Sequence, residues 1–242
     1  MGFAEIHRIA FELSNRCVHA HEHSLCPAHL KRSDPPANLP RVAVEKVLSS
    51  MKENVPAYGG AIYFHNYNEP LADPRLMDFV RRARAVLPRC RIWITTSGWN
   101  LDQVLLGELQ EAGVNDVKVS VYSPEAMARV RALRPPAGLK LRHKPGVPSS
   151  WRQVLRPEYI RVYDEGPTYS GRCKQPYKEL TIAHTGDVAL CCADWKRTVT
   201  FGNVLILPFA EIIQSDKMAH AAASLKAGRR IFKVCTRCAH AD

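Results

Sequence analysis

Short apolar segments that suit β-strands alternate with amphipathic helical segments along the first 145 residues. About five strands are expected there. Because parallel strands need a crossover connection, this alternation predicts a parallel sheet covered by helices, an α/β fold. The predicted strands are 5–13, 61–65, 91–96, 117–122 and 139–143, and the predicted helices are 41–55, 74–87, 101–112 and 124–133.

The pattern changes near residue 147, where prolines interrupt the alternation. Beyond it, two short strands at 178–183 and 187–191 flank Gly186, which predicts a β-hairpin with glycine at its turn. A helical segment is predicted at 207–225. We therefore expect two domains, 1–147 and 148–242.

The composition is that of a globular protein with a hydrophobic core. Of the 242 residues, 46% are hydrophobic and 24% are charged. No apolar run is long enough to span a membrane, and the N-terminal segment lacks the features of a secretory signal. We therefore expect a cytoplasmic protein with no membrane partner.

The net charge is +11, from 34 Lys and Arg against 23 Asp and Glu. A positive protein attracts acidic partners, among them anionic small molecules, acidic peptides and nucleic acids. Nucleic acid is the least favoured of these, because neither a basic recognition helix nor an aromatic-rich basic strand is evident.

A loop after the first predicted strand is crowded with metal-binding side chains. Residues 11–29 hold two cysteines and four histidines. Thiolates and imidazoles suit iron–sulfur clusters and zinc. Without a secretory signal, the eight cysteines of the chain favour metal ligation over disulfides. The metal-binding residues of the loop are Cys17, His19, His21, His23, Cys26 and His29.

Four motifs follow one another along the chain. The first is FELSNRC, in which a strand runs into Cys17. The second is the stretch from Tyr63 to Leu71, and the third is Thr95-Thr96-Ser97-Gly98, each after a predicted strand. The fourth is the C-terminal series Cys173, Gly186-Asp187-Val188-Ala189-Leu190-Cys191-Cys192, Gly202-Asn203-Val204 and Cys235-x-x-Cys238.

In this order the motifs resemble those of radical S-adenosylmethionine (SAM) enzymes that carry a C-terminal auxiliary-cluster domain of the SPASM or shortened twitch type. The size and spacing are most similar to the twitch-type aminoglycoside-pathway (2-deoxy-scyllo-inosamine) dehydrogenases. The resemblance implies a partial (β/α)6 barrel followed by a small α+β domain with a β-hairpin and a helix. It also implies two [4Fe–4S] clusters and SAM as cofactors.

The activity implied by the resemblance is cleavage of SAM to a 5′-deoxyadenosyl radical, followed by oxidation of a small polar biosynthetic intermediate. The partners implied are an anionic or polyhydroxylated small molecule, or a peptide, and an electron donor of the flavodoxin or ferredoxin type. Peptide modification and epimerisation stay open within the family. A family member without catalytic activity and a basic, zinc-bearing nucleic-acid-binding protein are further alternatives.

The resemblance also assigns residues to the cofactors. Separately from the resemblance, Arg152 and Arg172 flank the predicted inter-domain region; Arg152 is our candidate for holding an anionic or hydroxylated substrate, with Arg172 as the alternative. The auxiliary cluster would be held by four cysteines, with Cys192 as the alternative to Cys191. SAM would contact Asn66, Tyr67, Asn68, Glu69, Pro70, Thr96, Ser97, Ser120 and Tyr122, and the auxiliary cluster Cys173, Cys191, Cys235 and Cys238.

The first cluster loop departs from the family's C-x3-C-x2-C spacing. Counted from Cys17, the next two positions hold His21 and Ser24. A longer loop instead places Cys26 and His29 at the last two positions, which keeps two thiolates and adds one imidazole. We favour Cys17, Cys26 and His29, with His21 and His23 as alternative ligands and a zinc site as the alternative metal centre.

Overall fold

The computed structural model describes residues 1–21, 26–30, 34–145, 161–163 and 166–239. These residues form one eight-stranded sheet with the order β5-β4-β3-β2-β1-β6-β7-β8. All neighbours from β5 to β6 are parallel, whereas β7 pairs antiparallel with β6 and with β8. The strands are β1 Arg8–Phe11, β2 Ala61–Tyr63, β3 Arg91–Thr96, β4 Asp116–Val121, β5 Lys140–Pro145, β6 Glu179–Ile182, β7 Asp187–Ala189 and β8 Thr200–Asn203.

Helices connect the parallel strands from β1 to β5, as the alternation predicted. The helices of the described residues are α1 Pro27–Leu30, α2 Arg41–Asn54, α3 Leu76–Val86, α4 Gln103–Ala112, α5 Pro124–Ala132, α6 Phe209–Gln214, α7 Asp216–Lys226 and α8 Lys233–Thr236, of which α6 to α8 follow β8. Short 3₁₀ turns lie at Phe3–Glu5, Pro70–Ala72 and Arg161–Tyr163. Among the residues that the structure describes, no helix is long and apolar enough to cross a membrane.

The helix boundaries follow from capping residues. The side chain of Asp102 accepts a hydrogen bond from the Leu105 amide at 2.7 Å and caps α4. Gly113 ends the same helix with φ +108, a conformation that L-residues rarely adopt. The Ser123 hydroxyl accepts from the Ala126 amide and caps α5. Each side-chain cap contributes about 1 kcal/mol.

The two faces of the parallel sheet differ in polarity. Side chains alternate along a strand, and one set, which includes Phe11, Ile62 and Ile94, is completely buried beneath the helices. The other set faces away from these helices and is polar and only half-buried at Trp93, Thr95, Lys118 and Ser120. We call this second surface the open face. A parallel sheet normally buries both faces, so the open face is available to a ligand.

The sixth parallel strand comes from the far side of the expected domain boundary. β6 pairs with β1, with Arg8 opposite Glu179 and Phe11 opposite Ile182. The sheet therefore continues from the N-terminal part of the chain into the C-terminal part. The boundary near residue 147 lies outside the described residues and stays a prediction.

In the C-terminal part of the chain, the predicted hairpin is confirmed, but the predicted single helix is wrong. β6 and β7 form the predicted hairpin, in which Gly186 has φ +88. The helix expected at 207–225 is two helices, because Ser215 is extended (ψ 148) and its hydroxyl caps α7 by accepting from the Met218 amide. β8 is a strand that the sequence pattern did not indicate.

The two parts of the chain share one hydrophobic core. The ring of Phe3 meets that of Phe209 edge-on, with centroids 5.9 Å apart. The Lys226 ammonium group pairs with the Glu5 carboxylate across the same junction. The C-terminal domain is therefore packed directly against the barrel.

Candidate functional site

The exits of β2 and β3 are joined by the carboxylate of Glu69, which is 4% exposed. One of its oxygens accepts from the Thr96 hydroxyl at 2.5 Å and from the Leu71 amide. The other accepts from both the amide and the hydroxyl of Ser97 at 2.8 Å. Three residues that the sequence assigned to SAM, Glu69, Thr96 and Ser97, thus lie in one buried cluster.

The rest of this stretch is tied to the first metal loop and to the C-terminal domain. The Glu69 amide donates to the carbonyl of Arg16, the residue before Cys17, at 3.1 Å. The Tyr67 hydroxyl donates to the carbonyl of Cys192. Asn68 is buried, and its side chain bonds the Phe64 carbonyl and the Asn66 amide, so it shapes the turn. Pro70 begins the 3₁₀ turn that follows.

The other two predicted SAM residues come from β4. Ser120 lies on the open face and is half-buried. Tyr122 follows the end of the strand, and its ring lies 5.5 Å from that of His19 in the metal loop. The sequence-assigned residues of β2, β3 and β4 therefore collect at the carboxyl end of the sheet, beside the loop that begins at Cys17, where ligands of such sheets bind.

The turn that follows β3 requires a glycine at position 98. Gly98 has φ +72, and a Cβ there would lie 2.6 Å from Cγ1 of the buried Val119. We expect Gly98→Ala to lower the free energy of unfolding by about 1–3 kcal/mol, through backbone strain and overlap. In α4, Gly107→Ala meets nothing within 4 Å and is expected to stabilise by about 0.5–1 kcal/mol. Anaerobic denaturant titration compares the two, and an unchanged midpoint for Gly98→Ala would contradict the expectation.

In the first metal loop, His29 is held in one tautomer. Its Nδ1 lies 2.6 Å from the Ala20 carbonyl oxygen, which can only accept, so Nδ1 carries the hydrogen. A backbone carbonyl bound to one ring nitrogen is the usual second contact of a histidine that binds a metal through the other nitrogen. Ala20 is itself bonded to the Cys17 carbonyl, and the His29 amide to that of Cys26. The chain on both sides of the loop is thus connected through His29.

Four cysteines line one pocket in the C-terminal domain. Its wall is otherwise mainly apolar and includes Leu190, Leu225 and Val234. Cys192 is not among the lining residues. The cysteines that line the pocket are Cys173, Cys191, Cys235 and Cys238, the set that the sequence assigned to the auxiliary cluster.

The thiols of this pocket fit a metal cluster in their chemistry. Burial and the neighbouring Cys173 raise the pKa of Cys235 to about 12, and burial with Cys192 raises the pKa of Cys191 well above its ordinary value. Bound iron would supply the positive charge that deprotonates such thiols. In the described part of the chain, no three Cys, His, Asp or Glu side chains are arranged as ligands of one metal ion. A [4Fe–4S] cube is larger than an ion and separates its thiolates more widely.

Arg230 is a neighbour of this pocket that the sequence reasoning missed. It lines the pocket, its Nε donates to the Gly171 carbonyl at 2.9 Å, and its charge acts to lower the pKa of Cys235. A cation so close to four thiolates offsets part of their charge. Arg230 lies five residues before Cys235 and belongs to none of the sequence motifs, so nothing in the sequence indicated its role.

A buried ionic network that the sequence analysis did not identify lies at the ends of β1 and β6. Glu12 is 2% exposed and accepts from the His184 amide at 3.2 Å and from the Asn66 side chain at 3.3 Å. His184 Nδ1 lies 2.8 Å from the same carboxylate, and Arg197 pairs with it as well. Burial alone would raise the pKa of Glu12, but the His184 hydrogen bond and the Arg197 charge outweigh it and lower the pKa.

One sequence signal could have located this network. Glu12 interrupts an apolar run, and a buried carboxylate must find partners. Two assigned residues, Arg152 and His23, lie outside the described residues, so their places in the site stay predictions.

The comparisons with known proteins agree with this geometry. Residues 173–239 match the SPASM family, an iron–sulfur cluster-binding domain. No curated protein matches the sequence. BtrN in complex with AdoMet and 2-DOIA superposes with a TM-score of 0.79 at 21% identity, over 97% of this chain and 93% of BtrN.

Two further solved structures share the fold at lower identity. They are anSMEcpe with bound AdoMet (TM-score 0.55, 10% identity, 95% of this chain and 84% of that one) and Streptococcus suis SuiB bound to the precursor peptide SuiA (0.54, 11%, 98% and 72%). At these identities the similarity establishes the fold. The predictions of an α/β fold and of a C-terminal iron–sulfur domain are confirmed. The chain thus shares the fold of BtrN and of anSMEcpe, and its residues 173–239 match the SPASM iron–sulfur cluster-binding domain.

Proposed function

We propose that this protein is a radical SAM enzyme that oxidises a small polar molecule, with a second iron–sulfur cluster in its C-terminal domain. The observation that carries the proposal is the pocket lined by the four cysteines of the SPASM match, on a chain with the BtrN fold. When bound, the clusters and SAM would supply hydrogen abstraction and an electron acceptor. An electron donor of the flavodoxin or ferredoxin type would complete the system.

The residues would divide the work as follows. Cys17, Cys26 and His29 would bind the first cluster and leave one iron open for SAM. The 66–70 stretch would position SAM, with Glu69 holding Thr96 and Ser97 in place beside it. Ser120 and Tyr122 would contact SAM from β4, and the rest of the open face would hold the substrate. Arg152 would bind an anionic or hydroxylated group of the substrate.

The substrate class is supported by the neighbours of this fold. BtrN is described with 2-DOIA bound, a small molecule, whereas SuiB is described with a precursor peptide. This chain spans 93% of BtrN but 72% of SuiB, and it superposes better on BtrN, with a TM-score of 0.79 against 0.54. A small molecule is therefore the favoured substrate, and oxidation of a carbinol or an amine is the favoured reaction.

Anaerobic purification followed by metal analysis tests the proposal. We expect about eight irons per chain, two four-iron clusters, and 5′-deoxyadenosine after addition of SAM and a strong reductant. About four irons without 5′-deoxyadenosine would favour a non-catalytic family member. Zinc without iron would contradict the proposal and favour the zinc-bearing alternative.

A histidine ligand in the first cluster has a direct test. We expect His29→Ala to lose about four irons and SAM cleavage, because one ligand and its tautomer-fixing bond to Ala20 disappear. His29→Cys restores a third ligand and should keep the iron. The matched control is His21→Ala, which removes an exposed imidazole of the same loop. If His21→Ala loses iron and His29→Ala does not, the ligand assignment is wrong.

A further inference from the structure

His184 is placed with one ring nitrogen engaged and the other open. Its Nδ1 lies 2.8 Å from the Glu12 carboxylate, which only accepts hydrogen bonds when ionised. In the tautomer that donates to this carboxylate, the hydrogen of the neutral ring sits on Nδ1 and Nε2 carries a lone pair. No described residue forms a hydrogen bond with Nε2, and 9% of the residue is exposed. A carboxylate on Nδ1 and a free Nε2 are the arrangement of a histidine that takes protons.

The third member of the network is held in a strained conformation. Arg197 has φ +56, in a region that non-glycine residues seldom adopt. The loop before it is fixed by the buried Asp194, which accepts from the amides of Thr198 and Val199 at 3.0 and 2.8 Å. Arg197 thereby reaches Glu12, and its Nη2 lies 2.9 Å from Nδ1 of His184. Strain of this kind is characteristic of functional sites.

The location links the two cofactor regions. Glu12 follows Phe11 of β1, and since Phe11 faces the helices, alternation turns Glu12 toward the open face. On one side Glu12 contacts Asn66, in the stretch that would position SAM. On the other side Arg197 belongs to the loop that follows Cys191 of the cluster pocket. A substrate that reacts with SAM and passes an electron to the second cluster must lie near both.

We propose that His184 is a catalytic residue that accepts a proton from the substrate at Nε2, with Glu12 and Arg197 as its positioning residues. The assignment rests on the proposed function. In this step the O–H bond of a carbinol, or the N–H bond of an amine, breaks. The proton forms an N–H bond at Nε2, and the electron pair of the broken bond stays on the substrate oxygen or nitrogen. The positive charge that develops on the ring is stabilised by the Glu12 carboxylate.

The first test needs neither substrate nor turnover. Diethyl pyrocarbonate modifies unprotonated, accessible imidazole nitrogens, and peptide mass spectrometry locates the adducts on the cluster-loaded protein. We expect His184 to be modified at neutral pH at a rate within about tenfold of the exposed His220. An unmodified His184 beside a fully modified His220 would overturn the proposal, because Nε2 would then be closed.

The second test uses a compound that stimulates 5′-deoxyadenosine formation in the wild-type protein, with 2-DOIA as the first probe. We expect His184→Ala to lower product formation by about 10²–10⁴-fold while 5′-deoxyadenosine still forms, and added imidazole to restore product. His220→Gln, on α7, is the matched control and should behave as wild type. The proposal would be overturned if His184→Ala and the wild-type protein formed the same amount of product for each 5′-deoxyadenosine released.

Failure of the proposed function has a different signature. A wild-type protein that forms no 5′-deoxyadenosine under any condition would count against the radical SAM activity. In that case the modification of His184 still decides whether Nε2 is open. Equal iron content in wild type, His184→Ala and His220→Gln separates a catalytic defect from a folding defect.

Discussion

Replacing Cys235 by alanine is expected to lower the iron content of the anaerobically purified protein from about eight atoms per chain to about four. Cys235 is buried and lines the pocket with three other cysteines. Since its thiol is neutral at physiological pH without a metal, the site gains its negative charge only when iron binds. Removal of this ligand leaves three thiolates in an apolar wall and one iron without a protein ligand.

The same change is expected to lower the thermal midpoint, because the free energy of cluster binding contributes to folding of the domain that holds it. Iron and sulfide assays, the visible absorption of the cluster and anaerobic thermal unfolding measure the effects together. SAM cleavage should persist, since the first cluster is proposed to bind in a different loop, at Cys17, Cys26 and His29.

Two other cysteines provide matched controls. Cys192 neighbours the ligand Cys191 in sequence but does not line the pocket. Cys90 is buried, and burial raises its pKa to about 11, so it is an inert core thiol. Cys192→Ala and Cys90→Ala should both retain about eight irons. Loss of iron from Cys192→Ala and retention in Cys235→Ala would overturn the ligand set.

The second large effect is expected at Glu12. Glu12→Ala leaves the Arg197 guanidinium and the His184 ring beside an empty, buried position. Breaking a buried ion pair by removing one partner typically costs about 3–5 kcal/mol of unfolding free energy. Denaturant unfolding of the protein under anaerobic conditions measures the loss. A change below about 1 kcal/mol would show that water takes over the role of the carboxylate.

A half-buried carboxylate of the neighbouring strand, paired with an exposed arginine, serves as the control. Glu179 pairs with the Arg8 guanidinium at 3.2 Å, but the Arg8 side chain is 48% exposed. Such pairs contribute about 0–1 kcal/mol, so Glu179→Gln should have a small effect. The two carboxylates lie beside the same pair of strands, which makes burial the main difference between them.

The network also predicts how stability depends on acid. The pKa of Glu12 is lower in the folded chain than in the unfolded chain, so folding favours the ionised form. Its contribution is complete above the unfolded value of 4.5 and is lost as the pH falls through the lowered folded value. Glu12→Gln should therefore reduce the acid sensitivity of unfolding while lowering stability at neutral pH.

Local patterns predicted the elements well. The apolar face of α2, formed by Val44, Val47, Leu48 and Met51, is buried as its spacing indicated. Glycine marked both the end of α4 and the turn of the hairpin. Each of these features depends on a few residues close together in the chain, so it can be predicted from the sequence.

Long-range relations were harder to predict. The sequence of β6 does not indicate that it pairs with β1. The polarity pattern of a strand shows which of its faces is buried, but it does not show which strand lies beside it. The positive φ of Arg197 is imposed by the bonds to Asp194 and Glu12, against the residue's own preference. Glu69, assigned to SAM from the motif order, also organises Thr96 and Ser97, a role visible only in three dimensions.

The pairing of β1 with β6 has a consequence for how the protein is made. Partners Arg8 and Glu179 are 171 positions apart, so β1 gains this neighbour only after about three quarters of the chain (182 of 242 residues) has left the ribosome. Until then the outer edge of β1 is unpaired, and such edges invite association with other chains. The loop at Cys17 follows β1 directly, and Glu12 within that exit finds His184 and Arg197 only at the same late stage. The buried network at the end of β1 therefore forms only after residues up to Arg197 have been synthesised.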